Sequence, residues 1–175
     1  MVTLRCTQKL LRRLGVPPAI ETSPPTTVLG DWYANLLHTR PQQLVLCMNE
    51  RTLLAVLVPA RESKSLGVRF REAVVTHLSR LGVPPAAVEA EARAMSDLAF
   101  GPTASRKILG CLREAAFGLS VELGLGRLSS IAELEVRLSE NIYSTTGYRR
   151  PRELALELFG ATGASSGVSL ARGLR

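Results

Sequence analysis

Between Tyr33 and Val58 the chain holds three short apolar runs, Tyr33–Leu37, Gln43–Met48 and Leu53–Val58, separated only by His38–Gln42 and Asn49–Thr52. Runs of this length suit strands rather than helices, and connectors this short cannot cross over a sheet face. They predict three adjacent antiparallel strands. The stretch that opens them, Leu29-Gly-Asp-Trp-Tyr-Ala-Asn-Leu-Leu37, carries the only tryptophan and sets Asp31 and Asn35 among apolar neighbours. The unbroken apolar character of 53–58 predicts burial on both faces, or a central place in the sheet. The fold class that follows is α+β: a mainly antiparallel sheet of four to five strands packed against several helices.

The flanks supply the helices. Val2–Cys6 alternates as a strand, and Thr7 is placed to cap a helix over Gln8–Leu14 with Leu10, Leu11 and Leu14 inward. The heptapeptide Arg-Leu-Gly-Val-Pro-Pro-Ala occurs at 13–19 and again at 80–86. No similarity extends into its flanks, so it reads as one helix-stop device used twice: a glycine cap, an apolar residue folding back, then proline. Ser63 or Ser65 opens a helix to Leu81, and Pro85 opens another to about Met95. Asp97–Phe100 is a candidate strand, and 105–123 carries the strongest helical stripe. Gly110 and Gly118 interrupt that helix at about 1 kcal/mol each against Ala, which predicts close approach of another backbone. Ser130 with Glu133 forms a capping box for a helix to about Glu140, and Pro151 starts a last helix that ends at Gly160. One domain over 1–160 and a flexible Gly/Ser-rich basic tail over 161–175 are expected.

A chain of 175 residues with 46% apolar content can bury a proper core. No apolar run reaches the ~20 residues that span a bilayer, and no secretory h-region opens the chain, so a cytoplasmic protein is expected. Cys6, Cys47 and Cys111 are scattered and odd in number, which suits reduced thiols and argues against a structural zinc. Net charge is +7, and 19 of the 22 bases are arginine, a bias that an Arg- and Ala-rich genome would also produce. The excess sits at the ends: residues 1–16 hold four bases and no acid, and 144–175 hold five against two acids.

The segments Leu4-Arg-Cys-Thr-Gln-Lys-Leu-Leu11, Leu29 to Leu37 and Asn49-Glu-Arg-Thr-Leu53 together resemble an uncharacterised bacterial family, a domain of unknown function. Ser105-Arg-Lys-Ile-Leu-Gly110 and Gly147-Tyr148 resemble its later motifs; Ser139-Glu140-Asn141-Ile142 departs from the Asn-Glu-Pro expected there. The resemblance spans nearly all of 2–159. It implies a compact domain and no established activity.

Motifs for hydrolases, metalloproteases, P-loops and thiol redox chemistry are missing from the sequence. Gly124-Leu-Gly-Arg follows a helix rather than a strand and reads as a helix terminus. His38 and His77 have no ligand partner at useful spacing, so neither a metal nor a cofactor is expected. His77 sits beside an apolar stripe, as a boundary residue would.

Two residue sets remain. Arg5, Asp31, Asn35, Asn49, Glu50 and Arg106 fall at strand ends and at a helix start. They either tie down loops and pair with one another or converge in a cleft where carboxylates and an arginine serve a small enzyme. Lys9, Arg12, Arg13, Arg149, Arg150 and Arg152 are candidate nucleic-acid contacts, the latter three because bases at a helix start call for an anion. With 5% aromatic residues, base-stacking platforms are scarce. Without a catalytic constellation, a non-enzymatic binding or regulatory protein ranks above an enzyme, and a homodimeric interaction module is the third possibility.

Overall fold

The computed structural model describes residues 1–19, 23–39, 42–124 and 130–161. Five strands, β1 (Val2–Cys6), β2 (Trp32–Leu37), β3 (Leu44–Asn49), β4 (Ala55–Pro59) and β5 (Leu98–Pro102), form one sheet in the order β4-β3-β2-β1-β5. The meander β2-β3-β4 is antiparallel, as its short connections require. The sheet as a whole is mixed, not mainly antiparallel, because β1 runs parallel to both β2 and β5. Each of those pairs is joined through helices, and a helical crossover returns the chain in its original direction.

Helices α1 (Gln8–Leu14), α2 (Leu66–Leu81) and α3 (Pro85–Ala94) cover one face; α4 (Arg106–Gly124) and α5 (Ile131–Glu140) cover the other. The period-2 alternation of each strand divides the core accordingly. Leu4, Trp32, Cys47 and Val56 pack with Phe70 and Val74 of α2, while Tyr33, Leu46 and Leu57 pack with Leu112 of α4 and Leu134 of α5. Trp32 and Phe70 meet edge to face at 5.3 Å, a geometry worth about 1 kcal/mol beyond area burial. Helix α6 (Pro151–Leu158) buries Ala155 in the first of these cores.

Both copies of the heptapeptide act as helix stops. Gly15 (φ 66°) ends α1 and Gly82 (φ 87°) ends α2, each in the left-handed conformation. At the second copy Val83 N–H donates to Leu78 O at 3.1 Å, folding the apolar residue back onto the helix it terminates.

Of the two alternatives for the apolar run 53–58, burial on both faces holds and a central place does not: β4 is an edge, covered because α2 and α5 close over it. Its outward amide is answered by a side chain, with Leu57 N–H donating to Glu135 Oε1 at 2.9 Å. His77 is not at a boundary but wholly buried. Gly110 and Gly118 meet no close backbone within the described residues, since a Cβ at either would find nothing within 4 Å. Of the expected tail 161–175, all but Ala161 lies outside the described residues, as do residues 125–127 of Gly124-Leu-Gly-Arg. Among the described residues no helix is long and apolar enough to cross a membrane.

Candidate functional site

Four of the six polar candidates gather where β1, β2 and the β3–β4 turn meet. Asp31 stands just before β2 and is 3% exposed. Its Oδ1 accepts the Thr3 amide at 2.9 Å, and its Oδ2 accepts Arg5 Nε at 3.1 Å and Nη2 at 2.8 Å. A buried carboxylate needs such company, because desolvation would otherwise cost several kcal/mol. The backbone of Asp31 is held too: its N–H donates to Glu50 Oε1 at 3.3 Å, and its carbonyl accepts the Glu50 amide at 3.1 Å.

Asn49 is wholly buried and fully used. Its Nδ2 donates to the carbonyls of Leu29 (2.8 Å) and Asp31 (3.2 Å). Its Oδ1 accepts from Arg51 N, Thr52 N and Thr52 Oγ1 at 3.0–3.1 Å. This turn forces Leu53 to φ 59°, an uncommon conformation for a side chain of its kind, held by the Leu53 amide donating to Asn49 O at 3.1 Å. Gly30 completes the knot: at φ 76° its Cα faces Arg51 Nε and Glu50 Oε1, 2.9 and 3.2 Å from where a Cβ would lie. Asp31 and Asn49 therefore tie loops to the sheet.

The other two candidates lie farther along. Asn35 Oδ1 accepts Thr7 Oγ1–H at 3.1 Å, fastening the turn between β1 and α1 to β2. Arg106 is the exposed first residue of α4. The link between the groups is Tyr33, a residue outside the predicted set, whose hydroxyl accepts the Ser105 amide at 3.1 Å just before α4. Burial pushes the Tyr33 phenol up, with the Ser105 amide and the Arg5 charge working against it. A tyrosine at an inward-facing strand position reads from sequence as core, which is why its polar end goes unnoticed there.

Two further buried acids stand outside both predicted sets. Glu91 of α3 accepts the amides of Val28 and Leu29 at 2.8 and 3.1 Å, and Glu135 holds Leu57 and Arg80 Nη1 (3.0 Å). Burial raises the pKa of both carboxyls against the pull of their donors. Each occupies an apolar-stripe position of its helix, Glu91 between Val88 and Met95 and Glu135 next to Leu134 and Leu138. That misplacement is the available signal.

The basic residues divide sharply. At the start of α6, Arg149 pairs with Glu157 (2.7 Å), Arg152 with Glu140 (2.5 Å), and Arg150 with Glu140 and Glu153 (3.3 Å each). Glu153 also accepts the Arg150 amide in a capping box, so the helix start finds its anion within the chain. Lys9, Arg12 and Arg13 of α1 are exposed, and none of the ion pairs among the described residues involves them. Arg13 Nη2 donates to Ala60 O at 3.0 Å and its carbonyl accepts Ser63 Oγ–H at 3.3 Å. This joins α1 to the 3-10 turn Ser63–Ser65, where Arg61 and Lys64 are also exposed and likewise outside every ion pair.

Among the described residues no group of three or more His, Cys, Asp or Glu could hold a metal ion. The three cysteines are free and buried, and burial pushes the Cys6 thiol up to about 12. Comparison with curated proteins and with solved structures gives no significant match. A family model does match, over residues 3–154, and by that match the chain belongs to the family described as "Domain of unknown function (DUF6933)".

Proposed function

We propose that this is a non-enzymatic binding protein that holds a nucleic-acid phosphate backbone on the basic face made by α1 and the turn before α2. The observation that carries the reading is the pairing state of the cations. Lys9, Arg12, Arg13, Arg61 and Lys64 are all exposed on α1 and the turn joined to it, with Glu62 as the local acid, whereas Arg149, Arg150 and Arg152 are matched by Glu140, Glu153 and Glu157. Cations left without carboxylate partners raise a positive potential that attracts and steers polyanions. The scarcity of aromatic residues favours contact with phosphates over stacking on bases, hence affinity without marked sequence preference.

The polar knot around Asp31 and Asn49 supports catalysis less well. A general acid or base must reach a substrate, and these side chains already spend their hydrogen-bonding capacity on backbone groups and on Arg5.

Fluorescence anisotropy with labelled duplex DNA and RNA tests the reading. Five phosphate contacts predict a slope of log K against log salt of roughly −3 to −5. Reversing Lys9, Arg12 and Arg61 together to Glu weakens binding at least about tenfold. Reversing Arg149 and Arg152 leaves it nearly unchanged. No binding at low salt, or equal losses from both sets, overturns the proposal.

A further inference from the structure

The outward face of α4 has no partner within the described residues, and its chemistry is self-complementary. Phe117 is 73% exposed, an unusual state for that side chain, with Val121 (45%) and Ile142 (60%) beside it. Phe117 and Ile142 flank a groove of about 410 Å³ between α4 and α5. On the same α4 face lie Gly110, open above its Cα, and the exposed pair Arg113 and Glu114. Neither of that pair belongs to an ion pair among the described residues.

We propose that α4 is a homodimer interface, packing antiparallel against α4 of a second copy about a two-fold axis beside Arg113 and Glu114. A two-fold axis makes every contact occur twice with its residues exchanged. When two helices cross antiparallel, contacting residue numbers have a nearly constant sum. One register satisfies the charges: Arg113 facing Glu114 of the second copy, and its mirror image, bring two opposite-charge pairs to the axis. The same register carries Phe117 over Gly110 of the second copy, and Gly110 has no side chain to exclude the ring. These two ring contacts flank the axis and stand about 10 Å apart along each helix, at 1.5 Å rise per residue. A parallel arrangement sets Arg113 against Arg113 and Glu114 against Glu114, and has no such match.

Gly110 of α4 thereby gains a reason that the chain alone does not provide. A single helix pair with a short apolar flank buries less than the ~800 Å² per partner of a standard stable interface, so the dimer is concentration-dependent. It uses the sheet face opposite α1, so it stands or falls independently of nucleic-acid binding.

Sedimentation velocity on the full chain, from low to high micromolar concentration, reads the equilibrium directly. Arg113→Glu and Glu114→Arg each place like charges across the axis, and each weakens dimerisation at least tenfold. The double variant R113E/E114R restores opposite-charge pairs and recovers most of the loss. Phe117→Asp abolishes the dimer while the far-ultraviolet circular dichroism stays that of the parent, since the ring is exposed. A monomer at every concentration overturns the proposal. So does a dimer indifferent to the single reversals, or a double variant as weak as the sum of the singles.

Discussion

His77 offers the sharpest test of how the interior is built. The ring is fully buried on α2, neither nitrogen has a hydrogen-bond partner among the described residues, and Glu135 Oε2 lies 3.7 Å from Nδ1 with Arg80 bonded to the same carboxylate. Burial, reinforced by the Arg80 charge, pushes the imidazole down from 6.5 to about 4. The folded ring thus stays neutral while the unfolded ring takes a proton as pH falls through 6.5. Stability from this group is intact above that value and is lost progressively down to about pH 4. The full gap is worth about 3 kcal/mol, of which about 2 kcal/mol is expressed between pH 7.5 and pH 5. The raised carboxyls of Glu91 and Glu135 act with the opposite sign, gaining stability as pH falls through their folded values, so the native protein alone reports a mixture. His77→Leu isolates the term. Urea denaturation of both proteins at the two pH values should show the variant ahead by about 1–3 kcal/mol at neutral pH, because an unsatisfied buried polar group is gone. At the acid pH its lead should grow by about 2 kcal/mol. A lead that stays constant or shrinks on acidification would mean that His77 protonates in place and pairs with Glu135, and the reasoning fails.

Other substitutions probe the knot beside β2. Gly30→Ala combines a left-handed φ with a Cβ 2.9 Å from Arg51 Nε, so a loss of about 2 kcal/mol is expected in chemical denaturation. Asn49→Ala strands the Leu29 carbonyl and the amides of Arg51 and Thr52, for a loss of about 3 kcal/mol by the same assay. Tyr33→Phe removes the acceptor of the Ser105 amide; about 1 kcal/mol is expected, with faster hydrogen exchange confined to the start of α4.

What the sequence disclosed and what it hid follow one physical line. Local signals spoke plainly. Gly15 and Gly82 mark helix ends because only the residue's own backbone conformation matters there, and the meander between Trp32 and Pro59 is set by its short turns. Signals that need the third dimension were silent. Nothing in Val2–Cys6 or Leu98–Pro102 tells that they lie side by side and parallel, since the helices between them set the direction. The sequence leaves the meeting of Arg5 and Asp31 as one of two alternatives and carries no sign of the junction of Arg61 and Lys64 with α1. The six arginine and lysine candidates looked equivalent as a list. Their neighbours in space, Glu140 above all, divide them.

Each outer rim of the sheet has a backbone group answered from within the chain. At one, the Glu135 carboxylate occupies the amide that an incoming strand would claim; at the other, Ala19 N–H takes the Phe100 carbonyl at 2.8 Å. At each flank one group that lateral strand addition, the route by which exposed rims seed fibrils, would use is thereby already taken. A lesion that unseats Glu135 would therefore reopen the Leu57 amide to an added strand.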